Sequence, residues 1–238
     1  MQKAIIIGAS SGIGNALTKL LIQQNYKVGI IARREDLLNE MVAQHPKNVV
    51  SRCFDITQKG ATEVLSNLVD EIGGVDLFVF CAGTGELNEE LNYNIEESTN
   101  KLNVTSFTET INWVYRYFEN QNKGHLVVVS SIAGIRGGDI APSYNASKAY
   151  QINYLEGLQK KAKKTNKNIS ITDVRPGFVD TAMAKGEGLF WVATKEKAAK
   201  QIYSATLKKK KVVYVTKRWR LIAFILKTLP KRIYIKHF

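Results

Sequence analysis

Tyr144 and Lys148 stand four positions apart in the segment SYNASKAY, and together these side chains could move a proton. On a helix, residues at i and i+4 share one face, with Cβ atoms roughly 5–6 Å apart. A neighbouring ammonium stabilises a phenolate, so we expect Lys148 to lower the pKa of Tyr144. The pair would then serve as a general acid and base near neutral pH. The same spacing also arises by chance on partly exposed helices.

A glycine-rich turn, GASSGIG at residues 8–14, follows the strand-like segment KAIII and opens a helical pattern. Gly8 permits a tight turn, Gly12 lets the backbone approach a pyrophosphate, and Gly14 lets the helix pack closely on the sheet. Backbone N–H groups at the helix N-terminus then face the anion. The turn predicts nucleotide binding, with a plain glycine turn as the alternative. The residues expected to contact the cofactor here are Gly8, Ser10, Ser11, Gly12, Ile13 and Gly14.

The end of the second predicted strand favours NADP(H) over NAD(H). NAD-binding folds of this type usually carry an acidic residue there, which accepts a hydrogen bond from the ribose 2′-hydroxyl. Here Ala32 takes that place, and Arg33 and Arg34 follow. Guanidinium groups can bind a 2′-phosphate but cannot accept from a hydroxyl. One of the two arginines could instead be a solvated residue at the start of a helix.

Asp55 and Ile56, which follow the third predicted strand, are further candidates for cofactor contact. Asp55 could accept a hydrogen bond from the adenine amino group. It could equally cap the helix expected to begin near Thr57. The sequence leaves both roles open.

Short apolar segments alternate with longer helical patterns, which is typical of a doubly wound α/β fold. The segments are rich in Val and Ile, as expected of parallel strands buried on both faces. The predicted strands cover residues 3–7, 27–32, 48–53, 75–80, 124–130, 168–174 and 211–215. The predicted helices cover residues 12–24, 34–44, 58–72, 95–121, 141–165 and 194–207. We therefore predict a single-domain Rossmann-type α/β fold, with about seven parallel strands in a three-layer α/β/α arrangement.

The positive charge is concentrated near the C-terminus. The formal net charge of the 238 residues is +13, yet residues 1–186 hold 20 Lys/Arg and 19 Asp/Glu, which gives only +1. Residues 187–238 hold 14 Lys/Arg and 2 Asp/Glu, which gives +12. We divide the chain into a cofactor-binding domain, residues 1–216, and a basic amphipathic extension, residues 217–238.

Several features favour a cytoplasmic protein. Lys3 is followed at once by a strand-like segment, so no secretory signal is expected. No apolar stretch reaches the ~20 residues needed to span a bilayer. Cys53 and Cys81 each end an apolar run and show no pairing pattern, which predicts buried free thiols in a reducing compartment. We predict no metal site.

Six segments together resemble the short-chain dehydrogenase/reductase family, from about residue 3 to residue 215. They are GASSGIG (8–14), AGTG (82–85), Asn103 in KLNVTS, VVVSSIAG (127–134), YNASK (144–148) and RPGFVDT (175–181). They occur in the family's order and approximate spacing. The resemblance implies an NADP(H)-dependent oxidoreductase that interconverts a carbonyl and an alcohol, and a homo-oligomer, either dimer or tetramer.

The resemblance also implies catalytic roles. Tyr144 would protonate the carbonyl oxygen as hydride reaches the carbon, and Lys148 would lower the tyrosine pKa and bind the nicotinamide ribose. Ser131, thirteen positions before Tyr144, would hold the substrate oxygen. Asn103 would bend its helix and hold a water that links Lys148 to solvent. Alternatively, Ser131 could satisfy a local backbone group at a strand end, and Asn103 could be an ordinary polar helix residue.

Two further segments would contact the cofactor by the same resemblance. The segment PGFVDT would face the nicotinamide, with Thr181 binding its carboxamide. Thr181 could instead cap a helix, and Pro176–Gly177 could be a simple turn. The residues implied by the two segments are Ala82, Gly83, Pro176, Gly177, Val179 and Thr181.

The chain departs from the family at Phe80-Cys81, where many members carry two asparagines before Ala-Gly. Those asparagines steady the centre of the sheet and the cofactor contact. Their loss puts the local hydrogen bonds in doubt while leaving the chemistry plausible. Cys81 is interpreted as a small buried filler, because the sequence names no base that would activate it.

The segment AMAKGEGLFWVAT, after Thr181, would be a mobile flap over the substrate, hinged at Gly186 and Gly188. Its apolar residues, Met183, Leu189, Phe190 and Trp191, suggest a lipophilic small-molecule carbonyl or alcohol substrate. They could instead pack against the chain's own C-terminal helix.

The basic extension allows three interpretations. It could contact the inner face of a membrane peripherally, with Trp219 at headgroup depth. It could be a helix that docks on the flap or on a partner subunit. Nucleic-acid binding is the least favoured, because no base-reading motif accompanies the charge. A non-catalytic NADP-binding sensor or scaffold is the alternative to an enzyme.

Overall fold

The computed structural model describes residues 1–183 and 189–237. Within them a seven-stranded parallel sheet has the order β3-β2-β1-β4-β5-β6-β7. The strands are β1 (Lys3–Ile7), β2 (Lys27–Ala32), β3 (Val49–Cys53), β4 (Leu77–Phe80), β5 (Lys123–Val129), β6 (Asn168–Pro176) and β7 (Val212–Val215). The predicted Rossmann-type fold is confirmed.

The helices flank both faces of the sheet. They are α1 (Gly12–Gln23), α2 (Glu35–Gln44), α3 (Ala61–Ile72), α4 (Tyr93–Asn100), α5 (Phe107–Asn120), α6 (Pro142–Thr165), α7 (Lys195–Leu207), α8 (Trp219–Thr228) and α9 (Lys231–His237). A π-helical turn, Lys101–Ser106, joins α4 to α5, and a 3₁₀ turn, Ile132–Ile135, follows β5. The helix predicted over 95–121 is therefore interrupted.

Two hydrophobic layers cover the sheet, one on each face. One contains Leu17 and Leu21 of α1 with Ile202 of α7, and the other contains Leu68 of α3 with Phe107 of α5. Every residue of β4 is buried, because this strand lies near the centre of the sheet. Continuous apolar sequence in the strands is the signature of a sheet buried on both faces.

The strand order reverses direction at β1, whose neighbours are β2 and β4. Turns after β1 and β4 therefore diverge, and a crevice opens at the carboxyl edge of the sheet. Ligands of open α/β sheets bind in such crevices. The fold thus brings the glycine turn after β1 and the AGTG segment after β4 to one place.

The two cysteines differ. Cys81 lies in apolar surroundings that raise the pKa of its thiol to about 12, which suits the interpretation as an unreactive filler. Cys53 is exposed, so the prediction that it is buried is wrong. Cys53 ends β3, which is the edge strand of the sheet, and its side chain therefore lacks a covering layer.

Candidate active site

The glycine turn forms a tight loop between β1 and α1. Gly8 has φ +85° and donates from its N–H to the carbonyl of Ile31. A Cβ on Gly8 would lie 2.7 Å from the backbone nitrogen of Ala82, so a larger residue cannot fit there. The side chain of Ser11, which precedes α1, makes no capping hydrogen bond. The first N–H groups of α1 therefore remain available to an anion.

Arg34 reaches across the mouth of this loop. Its Nη2 lies 2.8 Å from Oγ of Ser10 and 2.5 Å from Oγ of Ser11. Arg33 is mostly exposed, and its Nη1 lies 3.8 Å from Oδ2 of Asp55. The guanidinium of Arg34 therefore stands beside the glycine turn, and that of Arg33 stands beside Asp55. This arrangement fits NADP(H).

Of the two roles that the sequence left open for Asp55, the helix cap is wrong and the contact with adenine stays a prediction. Its Oδ1 accepts hydrogen bonds from the backbone N–H and the hydroxyl of Thr57, both at 2.9 Å. These bonds close a turn rather than cap a helix, because α3 begins only at Ala61, after Gly60 in the left-handed conformation. The second carboxylate oxygen faces Arg33. Ile56 is buried beside it.

Tyr144 and Lys148 lie on one face of α6, next to Ser131. The Lys148 ammonium is 5.8 Å from the centroid of the Tyr144 ring, and the side chain of Ser131 lies close enough to the phenol to lower its pKa. Ser131 Oγ also accepts from the N–H of Ala133, so its local backbone role and its contact with Tyr144 coexist. The neighbouring Ser130 instead bonds to Asp173. The two serines of the VSS segment therefore have different partners: Ser131 faces Tyr144, and Ser130 bonds to Asp173.

The electrostatics of Tyr144 differ from the prediction. Burial raises its pKa above the ordinary value, and the hydrogen bond with Ser131 only partly opposes this effect. Burial also lowers the pKa of Lys148 to about 8, although the charge of Asp173 acts in the opposite direction. The expected lowering of the tyrosine pKa is not found in this structure, because burial is the largest cause of the shift and Lys148, 5.8 Å from the ring centroid, does not offset it.

Asn103 lies in the π-helical turn, where the helix changes direction. Its side-chain amide donates to the carbonyl of Thr84 at 2.7 Å and accepts from the N–H of Thr84 at 3.1 Å. It also donates to Ser147 on α6 at 3.0 Å. Asn103 thus fixes the segment after β4 to the catalytic helix. A π-helical turn at such a position often marks a functional site.

Gln151 is a site residue that sequence reasoning missed. It is fully buried, accepts from the Lys148 ammonium at 3.1 Å, and donates to the backbone carbonyl of Asn103 at 2.9 Å. The amide of Gln151 therefore joins the two residues between which the resemblance implies a water. Its position one turn after Lys148 on α6 was the available signal, since i and i+3 share a face.

The segment after β4 approaches the same lysine. A Cβ on Gly83 would lie 3.3 Å from the ammonium of Lys148 and 3.5 Å from Oδ1 of Asn103. The N–H of Cys81 bonds to the carbonyl of Ile7, so the backbone continues the sheet even without the family's asparagines. The replacement at Phe80-Cys81 thus leaves the main-chain geometry intact.

The PGF segment and the residues after it lie beside the glycine turn. Pro176 ends β6, and Val179 is buried in a short bridge to Ala193. The methyl group of Thr181 would lie 3.1 Å from a Cβ built on Gly12. Thr181 is in a bend rather than at the start of a helix, so a helix cap is not its role. The predicted hinges Gly186 and Gly188 lie outside the described residues.

An aromatic cluster covers the PGF segment. Trp219 of α8 packs on Gly177, where a Cβ would lie 1.9 Å from the indole, and it contacts Phe178 and Phe190 with centroids 5.3 and 5.1 Å away. Trp191 is 6.0 Å from Trp219. The extension therefore packs directly on the PGF segment.

Arg136 secures this extension to the 3₁₀ turn. Its guanidinium donates to the carbonyls of Leu226 at 2.6 Å and Leu229 at 2.5 Å, which are orphan acceptors at the end of α8. The hydroxyl of Tyr234 in α9 donates to the carbonyl of Gly137 at 2.5 Å. Trp219 also contacts Phe190 and Trp191 of the predicted flap segment, so docking of the extension on that segment, one of the predicted alternatives, is observed, together with its bonds to the 3₁₀ turn region.

The family model described as short chain dehydrogenase matches residues 2–189. An uncharacterized oxidoreductase of Staphylococcus haemolyticus is 33% identical over 186 residues, which cover 76% of this chain and 80% of that protein. Another, from Staphylococcus epidermidis, is 31% identical over 188 residues, which cover 77% of this chain and 80% of that protein.

Two solved structures share the fold. ElxO with NADP bound has a TM-score of 0.78 at 20% identity, with 90% of this chain and 96% of that chain covered. A short-chain dehydrogenase from Streptomyces avermitilis has a TM-score of 0.80 at 22% identity, with 96% and 92% covered. The chain therefore belongs to the short-chain dehydrogenase/reductase family and is an oxidoreductase.

Proposed function

We propose that this enzyme uses NADPH to reduce the carbonyl of a lipophilic ketone or aldehyde, or catalyses the reverse oxidation. The observation that carries the proposal is the grouping of three side chains: the Lys148 ammonium lies 5.8 Å from the centroid of the Tyr144 ring on the same helix face, and Ser131 acts on the phenol. These groups lie where the segments after β4 and β5 meet, beside the glycine turn. They provide two donors for an oxygen that gains negative charge.

The reaction assigns one task to each side chain. The bound cofactor would supply hydride to the carbonyl carbon. Ser131 and Tyr144 donate hydrogen bonds to the carbonyl oxygen, and Tyr144 passes its proton to that oxygen. Lys148, whose pKa is about 8, is largely protonated at pH 7 and stabilises the phenolate that remains. In the oxidation direction Tyr144 takes the proton back.

The preference for NADP(H) rests on Arg33 and Arg34. The guanidinium of Arg34 lies beside the glycine turn and that of Arg33 is exposed beside Asp55, and neither can accept from a ribose hydroxyl. ElxO, which shares the fold, has NADP bound. Asp55, Gly83 and Thr181 complete the set that would hold adenine, ribose and nicotinamide.

A lipophilic substrate is proposed from the aromatic cluster. Phe190 and Trp191 are partly exposed beside Trp219, and Met183 is exposed at the end of the preceding described segment. These side chains offer apolar surface above the nicotinamide position. Apolar rings with a few placed polar donors are typical of small-molecule sites.

We also propose a homo-oligomer in the cytoplasm, at or near the inner membrane face. A groove of about 930 Å³ runs along α5, lined by Trp113, Arg116, Tyr117 and by Tyr150 of α6. A second copy could fill it. None of the described helices is long and apolar enough to cross a membrane.

The test is the oxidation of NADPH with a panel of medium- and long-chain ketones and aldehydes, run in parallel with NADH. We expect turnover with at least one lipophilic carbonyl and a preference for NADPH. A sensor or scaffold would bind NADPH, as measured by calorimetry, and turn over no member of the panel. Equal rates with NADPH and NADH would refute the preference for NADP(H), but they would leave the proposed carbonyl reduction standing.

A further inference from the structure

Helix α8 is apolar on two opposite faces. Its inner face contains Trp219 and Ala223, which are buried against the protein body. Its outer face contains Leu221, Phe224 and Ile225, which follow the i, i+3, i+4 spacing of one helical stripe. A surface helix normally carries polar residues on the second face. The outer stripe therefore requires a separate explanation.

The outer stripe is unusually exposed. Leu221, Phe224 and Ile225 are 60%, 65% and 45% exposed. The remainder of the extension is held firmly by the bonds of Arg136 to the end of α8 and of Tyr234 to Gly137. These side chains are thus presented by a docked element rather than by a loose tail. We call them the apolar ridge.

Positive charge surrounds the apolar ridge. Residues 217–238 contain seven Lys/Arg and no Asp/Glu. The cations are Lys217, Arg218, Arg220, Lys227, Lys231, Arg232 and Lys236. All seven are exposed. Apolar side chains flanked by long cationic ones suit the boundary between acyl chains and phosphate headgroups.

We propose that the apolar ridge seats this enzyme on an anionic lipid bilayer. Leu221, Phe224 and Ile225 would enter the acyl boundary while the flanking cations bind headgroup phosphates. Helix α8 has ten residues and would lie in the plane of the surface.

Two other occupants fit less well. A symmetric contact with a second copy would bring two sets of seven cations together, with no acidic residue of the extension to oppose them. Nucleic acid would use the cations, but it gains little from exposed Leu and Ile, and Trp219 is buried and cannot stack on a base. An anionic bilayer uses both the charge and the apolar side chains.

The test uses the full-length protein and sedimentation with two vesicle types: phosphatidylcholine alone, and phosphatidylcholine with phosphatidylglycerol. We expect binding to the mixed vesicles that Phe224→Gln/Ile225→Gln weakens by at least about tenfold. The control is Leu207→Gln, which removes another exposed leucine, beside the cationic run Lys208–Lys211. Circular dichroism and thermal unfolding verify that each variant is folded.

A second pair of variants tests the charge. Lys227→Gln/Lys231→Gln/Arg232→Gln is expected to weaken binding by about fivefold for each cation removed. Lys208→Gln/Lys210→Gln/Lys211→Gln removes three cations away from the ridge and is expected to have a smaller effect. Equal losses in the two triple variants would overturn the proposal, because the binding would then follow net charge alone.

Other outcomes also reject the bilayer. Absence of sedimentation with mixed vesicles does so directly. A second outcome has two parts: the wild type does not bind vesicles, and light scattering shows a dimer that Phe224→Gln/Ile225→Gln loses. This result would assign the ridge to contact with a second copy of the chain. In a third outcome, the wild type binds RNA tightly but does not bind vesicles, and Phe224→Gln/Ile225→Gln binds RNA equally well. This result would indicate that the cations of the extension bind nucleic acid. Turnover is measured separately, so failure here leaves the oxidoreductase proposal standing.

Discussion

The two sides of the candidate cleft are built in different ways. The phosphate-binding part of the proposed cofactor side uses backbone turns and polar side chains from the loops that follow β1, β2 and β3, within residues 8–56. The proposed substrate side uses aromatic rings from three separated segments, with Phe178, Phe190 and Trp219 in mutual contact. The phosphate-binding part is thus local in sequence, whereas the substrate side is assembled by tertiary packing. Variation in the C-terminal extension can therefore alter the substrate side while the cofactor side stays unchanged.

Tyr144 stands between the two sides, and its substitution should have the largest effect. Tyr144→Phe removes the proton donor but keeps the ring, so we expect turnover to fall by about 10²–10⁴-fold while NADPH affinity changes little. The control is Tyr150→Phe on the same helix, whose hydroxyl bonds to Thr108 away from the site. Near-normal turnover of Tyr144→Phe in steady-state assays would exclude the proposed mechanism.

The packing of the proposed substrate side can be tested by substitution of Trp219. Trp219→Ala opens a cavity over Gly177 and should reduce the free energy of unfolding by about 3–5 kcal/mol. Trp219→Phe should cost less, because the ring is kept and the indole N–H has no hydrogen-bond acceptor within the described structure. Chemical denaturation measures both. Steady-state assays of Trp219→Phe should show a raised KM for the carbonyl substrate and an unchanged KM for NADPH.

The outer face of the same helix provides the matched control. Phe224 is largely exposed, so Phe224→Ala should change the free energy of unfolding by less than about 0.5 kcal/mol. Similar destabilisation by Phe224→Ala and Trp219→Ala would contradict the assignment of an inner and an outer face to α8.

The cofactor side can be tested at Arg34. Arg34→Ala removes a charged donor for the 2′-phosphate and should weaken NADPH binding by about 10–100-fold. NADH lacks that phosphate and serves as the control ligand, so its affinity should change little. Equal losses for NADPH and NADH in fluorescence titrations would indicate that Arg34 supports the loop, through Ser10 and Ser11, rather than the phosphate.

The same contrast explains what sequence could predict. The strands, the fold class and the glycine-rich turn after β1 follow from local patterns, because short connections and repeated apolar runs define a doubly wound sheet. The π-helical interruption did not follow from the apolar pattern, which predicts one helix over 95–121; a bend at Asn103 was implied only by the family resemblance. The exposure of Cys53 depends on which strand lies at the edge, which only the assembled sheet determines.

Electrostatics were the least predictable part. The i, i+4 spacing placed Tyr144 beside Lys148, but it did not show that both side chains are buried deeply enough for desolvation to dominate. The partners of Lys148 come from β5, from α6 and indirectly from the π-helical turn. Such a set depends on three elements that are distant in sequence, so no motif contains it.

Gln151 offers the subtlest test, because it acts on Lys148 rather than on substrate. Its Oε1 accepts from the ammonium and so favours the charged form. Gln151→Leu removes that acceptor and should move the pKa of Lys148 further below about 8. Gln151→Glu adds a negative charge and should move the pKa upward.

If the ammonium is the active form, activity falls as pH rises through the Lys148 pKa. The alkaline limb of the kcat profile should therefore shift to lower pH in Gln151→Leu and to higher pH in Gln151→Glu, each by about one unit. Gln159→Leu on the same helix, whose amide bonds to the carbonyls of Ile171 and Lys211, is the control and should leave the limb in place. A purely structural role for Gln151 predicts loss of stability in both variants with no opposite movement of the limb.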